Sequence, residues 1–593
     1  MATAGKLSLR RSLFTRNGQG VLQYSLVIAA LVFIVYANTF HVPFIFDDRN
    51  IVDNRSIHDL LSVSHVFAPP FETGIAGRPI VNLSLALNYA ISGMNPWSYH
   101  LLNLLIHLSA ALCLFGIVRR SFLSDRLKGK YGHAATPLSF ACALLWALHP
   151  LQTQAVTYTI QRCESLMGLC FLLTFYLAIQ GWQSAAPRRL HLTAVLSFLI
   201  GVGTKETIVI APFLLFVYDL LFFHGDPRNV LRRSPLLYTG LFFGLLSLGL
   251  LVSVGGTISS GAGRMTFSAI DYWLTQPEVI LHYLRLTFWP DRLCIDYGWP
   301  ITKFGDAWPS IIVISALIAA SAWALWKQLP IGFLSLWFFA ILAPTSLIPL
   351  PDVAFEHRMY LPSIAIVVFT ITGVYRLLNG VTERLIENEA LKSMVMRKGS
   401  FYMLILAGIM LGITTFARNI DYQSDISIWA DAVKKCSGNS RAHLNLGVAL
   451  MARGDYENSI LHYKEAIRIK PDYAIAHTNL GNALMGYGKI EEAIEHFRRF
   501  LKMRPHYSPA QRSLADALLR KGEYDESVFL YNKVLQLEPN NPELYNNLGV
   551  ALASQRNIEL AVHSFKLALK INPGYAEARN NLQIVMKHIN RHR

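Results

Sequence analysis

The sequence predicts an all-α chain in two parts, a polytopic helical membrane domain followed by an α-solenoid. Three observations predict this. Apolar residues make up 53 % of the 593, and up to about residue 420 they gather in windows long enough to enter or cross a bilayer. From Ser440 onward one residue pattern recurs every 34 positions. The net charge of +16 is concentrated in alternate loops between the apolar windows, the distribution that fixes membrane orientation.

About eleven spans are expected, at 21–40, 100–118, 136–149, 163–181, 190–203, 206–223, 236–254, 309–326, 331–349, 359–377 and 402–418. Several are short enough to be half-helices. No small-residue cleavage site follows the first, so it reads as a retained helix rather than a removed signal. Residues 1–20 form a basic cytoplasmic terminus with Lys6, Arg10, Arg11 and Arg16. Arg119, Arg120, Arg126, Lys128 and Lys130, then Arg188, Arg189, Arg228, Arg232 and Arg233, then Arg384, Lys392, Arg397 and Lys398 follow in loops of the same side. This clustering argues against a nucleic-acid surface. It makes the chain a multi-pass integral membrane protein, with the repeats on the outer (periplasmic or lumenal) side. The membrane domain covers 21–420, with a long first outer loop at 41–99. Val279–Pro290 is amphipathic and suits the interface. Six cysteines without CxxC or Cys/His spacing give neither a disulfide framework nor a zinc site.

In the tail, Leu446-Gly447, Tyr463, Ala466 and Pro471 answer to Leu480-Gly481, Phe497, Phe500 and Pro505. Leu514-Ala515, Tyr531, Val534 and Pro539, then Leu548-Gly549, Phe565, Ala568 and Pro573, complete the series. This is the tetratricopeptide (TPR) period, one helix-turn-helix per repeat. A degenerate half-repeat is expected at 421–439, four repeats at 440–575 and a capping helix at 576–593. Asn445, Asn479, Asn547 and Asn581 share one repeat position, with Ser513 in the gap. An amide both donates and accepts, so this ladder suits an extended peptide backbone of any sequence.

The outer loop opens on Asp47-Asp48. Adjacent carboxylates repel unless hydrogen bonds, a cation or a shared proton offset the repulsion, and one held in a cleft can act as a general base. The alternative is a solvated loop start that caps a helix. Gln161-Arg162-Cys163-Glu164, Lys205-Glu206 and Glu356-His357-Arg358 each set a base beside an acid at a span boundary. Basic groups gathered there suit a lipid phosphate, whereas snorkelling side chains and structural ion pairs are the plainer reading of any single one.

Asp47-Asp48, Gly77-Arg78-Pro79 with Leu87-Asn88-Tyr89-Ala90, and Trp97 to Asn103 with His107 resemble the transmembrane-and-TPR O-mannosyltransferase family, its bacterial members most of all. So do Leu148-His149-Pro150, Gln154-Ala155-Val156, Lys205-Glu206, Tyr218-Asp219 and Glu356 to Ser363. The resemblance implies a C-type membrane glycosyltransferase fold (GT-C) that takes a sugar from a polyprenyl phosphate. It implies Asp47 and Asp48 as the catalytic pair, and Arg162, Lys205 and Arg358 on the donor phosphate. His149, Glu164, Glu206, Glu356 and His357 would support them. Where animal members commonly read His-Thr-Glu-Ala-Val, this chain has Gln154, so no acid role is assigned there.

Sugar transfer needs a base at the acceptor oxygen and positive charge on the departing phosphate. The acidic pair lacks further carboxylates that would form a cage, so neither a metal nor another cofactor is expected. The leading expectation is a protein O-glycosyltransferase (mannosyl or another hexosyl) acting on Ser or Thr of extracytoplasmic proteins. The acceptor would be held by Asn445, Asn479, Asn547 and Asn581. A ligase for lipid-linked oligosaccharides of the O-antigen type and a non-catalytic membrane scaffold are the alternatives.

Overall fold

A computed structural model describes residues 16–70, 73–255 and 267–591. Lys6, Arg10 and Arg11 of the expected basic terminus lie outside them. Every regular element described is helical, and the chain divides into two compact units, Met1–Ile428 and Trp429–Arg593.

The first unit is built on α1 (Arg16–Val35), α2 (Pro79–Ser92), α3 (Trp97–Phe122), α4 (Ala135–Ala147), α5 (Arg162–Trp182), α6 (Pro187–Val202) and α7 (Ala211–Asp219). It continues with α8 (Pro235–Gly255), α9 (Ala269–Phe288), α10 (Trp308–Trp326), α11 (Pro330–Leu347), α12 (Pro362–Leu385) and α13 (Glu389–Asp421). Proline opens α2, α6, α8, α11 and α12, where its missing N–H costs no hydrogen bond and its fixed φ suits the first turn.

Eight stretches in the described residues are helical, long and apolar enough to cross a membrane, and two bent pairs raise the count to ten at most. The expected eleven is therefore too many. The expected span at 190–203 falls on α6, whose 16 residues reach only about 24 Å at the α-helical rise, short of the roughly 30 Å hydrocarbon core. The bent pairs are Lys128–Ala147 with Pro150–Val156, at 52°, and Pro227–Arg233 with Pro235–Leu251, at 93°. The amphipathic stretch near 279–290 belongs to α9. Trp273, near its start, donates to the Leu347 carbonyl, and Thr287, near its end, accepts from His149.

Hydrogen bonds sort the connections into two ends of the bundle. At one end Arg119 meets Thr136, Arg120 meets Gln183, Arg126 meets the Leu221 carbonyl, and His133 meets Tyr375. At the other, α1 and α13 finish side by side. Asn38 donates to the Phe416 carbonyl, Asn419 donates to the Val35 carbonyl, and Arg49 pairs with Asp425 at 2.9 Å. The first and last helices of the unit thus end together, however many crossings lie between.

In the second unit, helices begin at Ser440, Ala474, Ser508, Pro542 and Ala576, 34 residues apart. Each of the first four is followed by an antiparallel partner, beginning at Tyr456, Ile490, Tyr524 and Ile558. The small residue of each repeat is explained by contact. A Cβ on Gly447 or Gly549 would stand 2.6 Å from the ring of Tyr463 or Phe565, inside van der Waals distance. Ala515 fills the equivalent place in the third repeat, near Tyr531, and both are fully buried.

Candidate active site

Asp47 and Asp48 follow a strained residue. Phe46 has φ +50°, a left-handed conformation costly for a bulky side chain, and its ring stacks on Tyr158. The two aspartates after it meet different surroundings. Asp47 is exposed, and its N–H donates to the Tyr158 hydroxyl at 2.9 Å. Asp48 is 1 % exposed and accepts the N–H groups of Ile160 at 2.6 Å, Thr159 at 3.3 Å and Ile45 at 3.5 Å. Burial pushes its carboxyl up to about 8, against the opposite pull of those three donors.

The segment that receives Asp48, from His149 to Gln161, is a series of short buried turns. His149 holds its own turn, since Nδ1 accepts the Leu151 N–H while Nε2 meets the Thr287 carbonyl at 3.0 Å. Thr157 donates to Asn419 on α13 at 2.8 Å. Gln154 donates to the Ile295 carbonyl and accepts the backbone N–H of His357 at 2.8 Å.

Arg162, at the start of α5, is fully buried. Its guanidinium donates to Asn103 and Asn88 at 2.6 Å each, to the Tyr99 carbonyl at 2.8 Å and to Ser84 at 3.1 Å. A phosphate would have to displace these partners, so the structure gives Arg162 a framework position tying α2, α3 and α5 together. Two residues further along α5, Glu164 is ion-paired with Lys205, both nearly buried. Arg78 lies 3.8 Å from Glu206, each side chain still partly exposed.

His357 lies where these positive charges meet. Burial, and then the charges of Lys205, Arg358 and Arg78, hold its imidazole well below the usual range, so it is neutral near pH 7. Arg358 donates to the carbonyls of Val353 at 2.8 Å and Asp352 at 2.6 Å. Glu356, fully buried, accepts the Tyr297 hydroxyl at 2.8 Å and the Cys294 N–H.

The structure therefore joins Asp48 to the turns before Arg162, Glu164 to Lys205, and His357 to the cations around it. Asn445, Asn479, Asn547 and Asn581 lie in the other unit, all half-buried on the first helix of their repeats or on the last helix. Among the described residues the Asn445 amide nitrogen has no hydrogen-bond partner, while Asn547 donates to Asp516 and Asn581 to Asn546. Among the described residues no three His, Cys, Asp or Glu side chains are grouped as metal ligands. Arg78 is a further candidate, to which the sequence assigns no role of its own. The sequence carries it inside Gly77-Arg78-Pro79, where Gly77 takes φ +73° and Pro79 opens α2.

TPR repeat models match residues 447–486 and 515–556, and tetratricopeptide repeat models match 474–507 and 542–575. A solved TPR protein, YrrB, is similar over 26 % of this chain and 80 % of its own, at 19 % identity and a TM-score of 0.24. Among curated proteins, the chain is 24 % identical over 517 residues to the protein O-mannosyl-transferase Tmtc3 of Drosophila melanogaster, covering 74 % of this chain and 54 % of that one. It is 24 % identical over 500 residues to human TMTC4, covering 72 % and 64 %, and 30 % identical over 251 residues to human TMTC2, covering 39 % and 28 %. The chain thus spans little more than half the length of the first of these relatives. They are animal proteins, not the bacterial ones expected. At low identity, the chain is similar to animal proteins named protein O-mannosyl-transferases.

Proposed function

We propose that the chain is a membrane-embedded glycosyltransferase of the C-type fold that moves a hexose, mannose by preference, from a polyprenyl phosphate to a Ser or Thr hydroxyl of a protein. The observation that carries this reading is the exposed Asp47 carboxylate at the bundle end where α1 and α13 finish, on a loop anchored to the turns that lead to Arg162, Glu164 and Lys205. The relatives' name, protein O-mannosyl-transferase, points the same way. In this reading the acceptor oxygen attacks the anomeric carbon, its proton passes to Asp47, and the bond from that carbon to the phosphate oxygen breaks. Lys205, Arg358 and Arg78 stabilise the charge that develops on the departing phosphate. Asp48 and Arg162 hold the frame. Positive-inside placement of the Arg119–Lys130 end puts Asp47 on the outer side, and the repeats bind the acceptor there through Asn445 and Asn479.

The test compares glycan mass on envelope or secretory proteins from cells carrying wild type, Asp47→Asn or no gene. A hexose increment on Ser or Thr with wild type alone supports the transferase and its base. An unchanged profile from correctly inserted wild type refutes it and favours a scaffold. Transfer of a whole glycan would instead identify a ligase.

A further inference from the structure

A second feature lies toward the opposite end of the bundle. Helices α3, α5, α7, α11 and α12 line a half-open cavity of about 400 Å³, within the size range of sites that take a small-molecule ligand. Its walls are apolar, with Leu114, Leu172, Phe333, Trp337 and Ile364 among them. Lys130 and Arg376 also line it, and both are exposed. Among the described residues neither side chain has an ion-pair or hydrogen-bond partner. Two features fix this as the end away from Asp47. Ser121, another lining residue, bonds the Tyr218 hydroxyl at 2.6 Å, and Lys130 follows Arg126, which caps the Leu221 carbonyl.

The combination selects the occupant. An apolar chain matches the walls but leaves two cations unmatched, and a free anion matches the cations but leaves the walls empty. A lipid with a phosphate headgroup and net negative charge matches both. Its acyl chain fills the cavity, and its phosphate meets the Arg376 fork and the Lys130 point charge. Basic pockets between membrane helices hold anionic headgroups by this chemistry. We propose that this cavity is a binding site for an anionic phospholipid of the leaflet that faces the Arg119–Lys130 end. The cavity floor bears on the rest of the unit, because Trp337 Nε1–H donates to the Leu361 carbonyl at 2.9 Å, next to the segment that carries His357 and Arg358.

The test is native mass spectrometry of the full chain in neutral detergent, offered equal dioleoyl phosphatidylglycerol and dioleoyl phosphatidylcholine. Wild type is expected to retain phosphatidylglycerol preferentially. Lys130→Gln and Arg376→Gln should each reduce the preference about fivefold, while Lys392→Gln leaves it unchanged. Gly373→Trp, at a lining position where an added Cβ meets nothing within 4 Å, should abolish retention of both lipids. Equal retention of the two lipids by wild type overturns the proposal. So does a preference that survives both Gln substitutions, or displacement of phosphatidylglycerol by an equimolar polyprenyl phosphate.

Discussion

The Asp48 carboxylate accepts the Ile160 N–H at 2.6 Å, tying the loop after α1 to the turns that lead into α5 while Asp47, one residue earlier, is exposed. The two acids therefore have different work. Asp48→Ala should orphan buried N–H groups and cost about 2–4 kcal/mol, since each unsatisfied buried donor costs roughly 1–3 kcal/mol. Asp47→Ala should shift stability by no more than about 0.5 kcal/mol, as surface changes do, yet lower transfer by about 10²- to 10⁴-fold if it is the base. Chemical denaturation in detergent beside a transfer assay separates them. The reverse ranking in stability would undo the division.

The pH dependence of stability follows from the same residue. The Asp48 carboxyl is raised from 3.8 to about 8 in the folded chain, chiefly by burial. Between those values the folded state keeps a proton that the unfolded state has lost, so stability falls as pH rises across the window. The thermal midpoint of wild type should be higher at pH 5 than at pH 8. Asp48→Asn, which retains an acceptor oxygen but does not ionise, should flatten the profile. A wild-type midpoint that does not fall between pH 5 and pH 8 would contradict this.

Arg162 supplies a second contrast. Its fork reaches Asn103, Asn88 and the Tyr99 carbonyl together, a geometry that a lysine ammonium cannot reproduce. Arg162→Lys keeps the charge but leaves acceptors unmet in a buried place, and should destabilise the unit by about 2–4 kcal/mol. A direct phosphate ligand would behave otherwise, since Arg162→Lys would then raise the donor KM with little loss of stability. Unfolding curves and donor titrations together decide.

What the sequence made legible was what short-range pattern controls. Helices that start at 440, 474, 508, 542 and 576 reflect a period that each repeat's own core enforces. The acid–base pairs at span edges were also visible, because charged side chains are conspicuous against apolar windows. The split between Asp47 and Asp48 was not, because it is made by Ile160, 112 residues away. Nor was the sequestration of Arg162, which depends on asparagines inside apolar helices. Hydropathy marked 190–203 as a span, but α6 has only 16 residues, too few for a full crossing.

Lys205 and Glu164 provide the sharpest separation of structure from chemistry. Their side chains are only 10 % and 6 % exposed, so truncating one leaves the other's charge buried. Such a loss typically costs about 3–5 kcal/mol, whereas replacing both partners is often nearly neutral. Lys205→Met alone and Glu164→Gln alone should therefore each destabilise the unit, and the double replacement should recover most of that stability. Activity should not recover with it, because the Lys205 charge remains absent from the leaving phosphate. Equal restoration of stability and transfer in the double variant would make the pair purely structural and leave Arg358 and Arg78 as the phosphate's partners.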